Sequence, residues 1–348
     1  MPDPRKFFPA AAGPLRLLAL SLTTVLALGA CGSDDDPPAP VVLTGTFVDS
    51  PVSGLDYQGT TTPAGLTDEN GRFNYRAGER IRFAIGNLAL GEATGGAVVT
   101  PLSVTDGATV ATDRRVNNKL ILLQTLDADG NLNNGIQITE GIRTIVSARA
   151  GDMDFDQPTT DFRTSLNPLL IALNAADVFT DLDPRDRPVR TATAALEHFA
   201  RSTSPRHVVT TTLGQLSGYE ANPTTWQFLG VPYAQPPVGE LRWRPPQPAQ
   251  AWTGVRHAVA WSDQAAQDFR LEPTGEGGMS EDSLYLNITA PKNANNLPVM
   301  VWFHGGSFAI LSSNSKLYNN ANNGITGKDV VLVTVNHRLG IFGYMAHP

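Results

Sequence analysis

Leu297-Pro298-Val299-Met300-Val301-Trp302-Phe303-His304-Gly305-Gly306-Ser307-Phe308 is the stretch on which the fold turns. Its first half is apolar, β-branched and aromatic, and too short for a helix. It reads as a strand buried on both faces. The strand delivers His304 and two glycines to its C-terminal end. A second apolar run, Asp329 to Val335, leads into Asn336-His337-Arg338-Leu339-Gly340. Upstream, Ser280-Glu281-Asp282-Ser283-Leu284-Tyr285-Leu286-Asn287-Ile288 passes from a glycine-rich loop into an alternating strand. Further back, His207 to Gly218 reads as strand, glycine turn, strand. Between these lies Phe228-Leu229-Gly230-Val231-Pro232-Tyr233-Ala234-Gln235-Pro236-Pro237, continuing through Leu241-Arg242-Trp243-Arg244 to Pro246. So many prolines exclude a helix or a central strand and predict a rigid extended loop with its rings packed on the domain.

The rest of the chain bounds the function. The 348 residues carry a net charge of −7, with 41% hydrophobic and 17% charged residues, an ordinary globular composition. No basic excess is available to neutralise phosphates, so nucleic acid is not an expected partner. The 32 glycines and 26 prolines predict many turns and argue against a helical bundle. One cysteine excludes an intrachain disulfide.

Residues 41–200 read as a β-rich accessory region with helices. Val41 to Val48 is a strand. Asn70-Gly71 is a turn dipeptide, after which Phe73 and Tyr75 share one face and Arg72 and Asn74 the other. Arg80 to Ile85 alternates likewise. Gly65 to Tyr75 resembles the hairpin of prealbumin-like sandwich modules, a likeness of fold rather than activity. Val116, Leu120, Leu123 and Leu126 then form a helical stripe. It runs into Asp127-Ala128-Asp129-Gly130-Asn131-Leu132-Asn133, where alternating oxygen side chains invite a calcium reading. The EF-hand frame fails, because Leu132 stands where glycine is required and Ile138 where glutamate is. No metal is assigned from the sequence. Two further helices are expected near 168–179 and 191–201, and a domain boundary falls at 201–206, a segment with no apolar face.

At the N-terminus, Arg5, Lys6 and Arg16 precede an apolar run from Leu17 to Leu28, about twelve residues where a membrane-spanning helix needs about 20. It ends in Leu28-Gly29-Ala30-Cys31, which resembles a bacterial lipobox. Residues 1–31 then imply a lipoprotein signal peptide with Cys31 as the lipidated residue, and 32–40 a flexible linker. Gly32 in place of aspartate implies the outer membrane of a Gram-negative envelope.

The segments of 207–348 resemble the N-terminal part of a type-B carboxylesterase, the cholinesterase-like branch of the α/β-hydrolases. Five blocks agree in the family's order: Gly230-x-Pro232-Tyr233-Ala234-x-Pro236-Pro237 with Leu241-Arg242; Glu281-Asp282-x-Leu284-Tyr285-Leu286-Asn287; the apolar strand; His304-Gly305-Gly306; and Asn336-x-Arg338-Leu339-Gly340. The resemblance implies an α/β fold, here a partial α/β-hydrolase behind the accessory domain, and serine acyl transfer on a small-molecule carboxylic ester with no cofactor. It gives Gly305 and Gly306 the oxyanion hole and His304 the positioning of that loop. It reads Glu281, Asp282 and Arg338 as structural, with Arg338 a partner for either acid. Departures are Ser283 where many relatives have a cysteine, His337 where tyrosine is usual, and Ser307 at a third glycine.

No serine has glycine at both −2 and +2, the nucleophile elbow of this fold. The family's order puts serine, acid and base after the last block, so the chain reads as truncated, an enzyme by family but inactive alone. A lipid-anchored, non-enzymatic surface module with a vestigial hydrolase segment is the alternative, and completion by a separate polypeptide a third.

Overall fold

The computed structural model describes residues 41–181, 186–268, 277–319 and 329–345. Residues 41–348 form one compact unit. The chain begins with strands β1 (Leu43–Phe47), β2 (Asp56–Gly59), β3 (Arg72–Tyr75), β4 (Arg80–Ile85) and β5 (Leu88–Thr94). β1 pairs antiparallel with β3, Leu43 opposite Tyr75 and Thr46 opposite Arg72. β2, β4 and β5 form an antiparallel sheet with Gly65–Leu66 at its edge. The alternation of Phe73 and Tyr75 does what it predicts. Both are buried while Arg72 and Asn74 face solvent. Phe83 of β4 lies 4.9 Å from both Phe47 and Phe73, which ties the two sheets into one aromatic core.

Five helices follow: α1 (Arg114–Thr125), α2 (Glu140–Ala148), α3 (Thr159–Ser165), α4 (Asn167–Ala175) and α5 (Ala192–Thr203). Asp113 caps α1 by accepting the Arg115 N–H. The predicted stripe of Val116, Leu120 and Leu123 is fully buried, but so are Ile121 and Leu122, because α3 and α5 close over the opposite flank.

The remainder builds a seven-stranded mixed sheet from β6 (Arg206–Thr210), β7 (Gln215–Asn222), β8 (Thr225–Pro232), β9 (Tyr285–Pro291), β10 (Val299–Phe303) and β11 (Val331–Val335). Their spatial order is β6-β7-β8-β9-β11-β10, with Val255–His257 parallel to β7 as the seventh strand. The antiparallel ladder gives way to a parallel pair at β10 and β11, where Phe303 stands opposite Val335. With helices and mixed sheets combined, the fold is α/β.

Three differences from the sequence reading have physical causes. The strand expected to be buried on both faces, β10, is the sheet's edge, and Val299, Met300, Val301, Trp302 and Phe303 are 43–62% exposed. Apolar content records what a strand can bury, not what lies over it. Phe228 to Pro232 is not loop but the end of the central strand β8. Pro232 falls at its last position, where its missing N–H costs the ladder least. Lastly, no separate accessory domain is set off. Ala260, from beyond β8, belongs to the same core as Phe47 and α1.

Candidate functional site

β10 and β11 end side by side, and their C-terminal loops meet. His304 is buried at the end of β10, and its ring stacks on that of His337, the centroids 4.4 Å apart and the planes within 9°. His304 Nδ1 lies 2.8 Å from Gly305 O, which makes it the protonated ring nitrogen, donating to that carbonyl. The Gly340 N–H donates to Phe308 O at 2.7 Å and fastens the far side of the glycine loop to the Asn336–Gly340 segment. The two loops therefore hold each other at both ends.

The glycines differ. Gly306 has φ +108°, and a Cβ there would sit 2.0 Å from Ile310 O, so this position admits only glycine. Gly305 has open space where its Cβ would be. Ser307 (φ +54°) and Phe308 (φ +62°) continue the left-handed run, an unfavourable conformation for residues with side chains. Successive N–H groups in such a run can turn toward one concavity, the geometry of a small anion-binding nest. Neither the Gly305 nor the Gly306 N–H donates to another group among the described residues.

The other sequence blocks pack around this loop pair. The half-buried Tyr233 hydroxyl donates to Asn336 O at 2.7 Å, and its partial burial pushes its pKa up to about 12. Asn336 Oδ1 accepts the Ser313 N–H at 2.7 Å. Trp243 Nε1 donates to Ile341 O at 3.0 Å and the ring stacks on Phe342. All five blocks thus converge, although they are spread over more than a hundred residues. The ion pairing differs from the expected one. Glu281 takes both Nε and Nη2 of Arg242, each at 2.5 Å. Asp282 accepts the Tyr285 hydroxyl at 3.0 Å, and burial raises its pKa. Arg338 donates to the Arg244 carbonyl at 3.0 Å rather than to a carboxylate. The shorter reach from the proline-rich loop wins. The role of His337 as the stacking partner was not legible, and its only signal is its departure from tyrosine at that position.

The sheet is tied to the helical region at a seam. Asn133 Oδ1 accepts the N–H groups of Val259 and Ala260, and its Nδ2 donates to Leu229 O and Ala260 O. Asn133, a calcium-ligand candidate in the sequence, is thereby committed to the seam. Arg201 Nε adds a bond to Val259 O at 2.8 Å.

Residues 205–347 match the Carboxylesterase family. Over 152 residues the chain is 43% identical to a fumonisin B1 esterase of Sphingopyxis macrogoltabida, covering 43% of this chain and 27% of that protein. Over 142 residues it is 39% identical to a para-nitrobenzyl esterase of Bacillus subtilis, covering 40% and 29%. A solved PNB esterase structure shares 37% identity over 41% of this chain and 30% of its own, with a TM-score of 0.38. The chain therefore spans between a quarter and a third of the length of these relatives.

These matches correct the reading of an N-terminal family portion in a truncated chain. The match falls on the C-terminal part of this chain, and it belongs to one unit with the helical region. The inactive-fragment picture, with its missing triad and its vestigial-module alternative, falls with it. The likeness to esterases runs along the whole matched stretch, and nothing among the described residues marks that stretch as a dead remnant. The lipoprotein, signal-peptide and membrane-anchor readings gain no support. Cys31 and residues 1–40 lie outside the described residues, and no described helix is long and apolar enough to cross a membrane.

Proposed function

We propose that residues 207–348 provide the oxyanion-stabilising loop of a hydrolase acting on small-molecule carboxylic esters by serine acyl transfer. The observation that carries this is the Gly305-Gly306 turn, with two N–H groups unengaged by the described residues, at the mouth of the parallel β10–β11 pair. Attack on an ester carbonyl puts negative charge on its oxygen. Donors already fixed in place stabilise that charge without reorganising, and losing one donor costs roughly 3–4 kcal/mol in the transition state. His304 acts here as a positioning residue. Its ring nitrogen holds the Gly305 carbonyl, which turns the next peptide N–H the other way, while His337 braces the ring. The serine nucleophile is not assigned among the described residues. The family match supports the reading and its general substrate class.

Residues 41–200 are, on this proposal, an accessory region, since the family match begins only at 205. A cell-envelope location rests on the sequence of residues 1–31 alone, and fractionation of expressing cells tests it.

The test of function is hydrolysis of a chromogenic short-chain acyl ester by the purified full chain and by Gly306→Ala. Turnover above a heat-killed control that drops on the order of 100-fold in the variant supports the proposal. Turnover equal in both, or absent in the parent chain, removes this role from the loop.

A further inference from the structure

The histidine stack beside the glycine turn is itself held from behind. Tyr233 follows Pro232, the last residue of β8, in a stretch that Pro232, Pro236 and Pro237 keep stiff. Its N–H donates to Leu284 O at 3.2 Å, which fixes where the side chain leaves the backbone. Its hydroxyl donates to Asn336 O at 2.7 Å. Partial burial keeps the phenol protonated, so it remains a donor throughout the neutral range.

From Asn336 the contacts run without a gap to the glycine turn. Asn336 is 1% exposed, its N–H donating to Tyr285 O at 3.0 Å and its Oδ1 accepting the Ser313 N–H at 2.7 Å. The Asn336 carbonyl shares a rigid peptide plane with the His337 nitrogen, so holding one directs the other. The His337 ring lies on that of His304 at 4.4 Å, and His304 Nδ1 donates to Gly305 O at 2.8 Å. In a trans peptide the Gly306 N–H points opposite to the Gly305 carbonyl, so the last link aims that donor.

The proline-rich loop grips the same segment at two more points. Arg338 donates to Arg244 O, and Trp243 Nε1 to Ile341 O, each at 3.0 Å. Both bonds lie at exposed positions, where water replaces a lost partner at little cost. The Asn336 carbonyl belongs to a buried residue, and losing its donor there is not so readily made good.

We propose that Tyr233 is a positioning residue of the oxyanion loop, its hydroxyl setting His337 against His304 and, through them, the Gly306 N–H. It touches no reacting atom, and its role rests on the ester reading of that loop. A tilted donor loses more of its bond to a developing oxyanion than to a ground-state ester. The effect therefore falls on the turnover step rather than on substrate binding.

The experiment uses the full chain with Tyr233→Phe, which removes one oxygen and keeps the ring, and Trp243→Phe as the control for the outer grip. On a chromogenic short-chain acyl ester, Tyr233→Phe is expected to lower kcat about 10-fold with KM within about 2-fold, against about 100-fold or more for outright loss of a donor. Trp243→Phe is expected to stay within about 2-fold in both. A merely structural role would lower the unfolding midpoint and leave kcat alone. The second readout needs no turnover. Stacking shifts the carbon-bound ring protons of His304 and His337 in the nuclear magnetic resonance spectrum of histidine-labelled chain. These signals, assigned with His337→Gln, are expected to move in Tyr233→Phe and to hold in Trp243→Phe. Unmoved signals in Tyr233→Phe, or an unchanged kcat where Gly306→Ala loses activity, overturn the positioning role and leave the ester reading standing. An equal fall of kcat in Trp243→Phe overturns it as well. A parent chain without turnover removes the ester reading and this role together.

Discussion

The side chain of Asn133 grips Ala260 from both directions, accepting its N–H at 2.7 Å and donating to its carbonyl at 2.7 Å. The pairing imitates one ring of a β-ladder, made by a side chain 127 residues distant in sequence. Asn133→Ala leaves the Ala260 N–H and C=O and the Val259 N–H without these partners inside the protein. A loss of about 3 kcal/mol or more is expected in urea unfolding, since each stranded group costs about 1–3 kcal/mol. Asn133→Asp keeps the acceptor but not the donors, and should fall between. A loss under about 0.5 kcal/mol for the alanine variant, the range of an ordinary surface change, would mean the seam is not held there.

The two glycines of the loop should separate under the same substitution. Gly305→Ala meets nothing and is expected to change stability by less than about 0.5 kcal/mol. Gly306→Ala must take φ +108° and displace Ile310, with an expected loss of about 1–3 kcal/mol and faster amide exchange through 305–310. Equal behaviour of the two variants in thermal unfolding would contradict the loop geometry.

His198 predicts a pH dependence. It is fully buried, its Nε2 shared between Ser50 and Ser202 at 3.0 and 3.1 Å. Burial above all, then the charges of Arg190 and Arg201, hold its pKa well below the ordinary histidine value. The folded state keeps it neutral while the unfolded chain takes up a proton near pH 6.5. Its contribution is therefore complete above about pH 6.5 and is lost below, by about 1.4 kcal/mol per pH unit until the folded value is reached. Asp49, buried beside Gln124, has its pKa raised by burial and slopes the opposite way. The measurement is thus the difference between the parent and His198→Gln in urea midpoints at pH 7.5, 6.5 and 5.5. That difference should shrink as pH falls, and a constant difference would rule out a buried neutral imidazole.

The exposed β10 predicts association. Five consecutive apolar side chains on a sheet edge offer both unpaired backbone groups and a sticky surface. Val301→Lys should reduce concentration-dependent light scattering and leave the unfolding midpoint within a few degrees. Unchanged scattering would place the association elsewhere.

What the sequence shows of this molecule is mostly periodicity and local turn chemistry. The stripe from Val116, the alternation at Phe73 and Tyr75 and the glycine pair after Phe303 were legible because each is decided by its neighbours in the chain. α2 was missed although Thr139 caps it and Ile142, Ile145 and Val146 keep helical spacing, because Gly141 sits in its first turn. The exposure of β10 was illegible, since it depends on what lies beside the strand. Asn133 is the sharpest case. A polar residue in an acidic loop reads as solvated, and only the fold reveals that its four partners lie about a hundred residues downstream. The same holds for Glu281, whose guanidinium could have been any of several until the proline-rich loop closed.

The junction between the regions has a consequence for inheritance. α5 ends at Thr203 and β6 begins at Arg206, with Ser204 bonded to the Glu220 carbonyl and Pro205 accepting the Glu220 N–H. Modular proteins trade their parts as cassettes when the joints are slack. Here a recombination event at 201–206 would deliver a sheet stripped of Asn133 and a helical layer stripped of Ala260. Successful exchanges in this lineage should therefore carry the loop and the sheet it grips together.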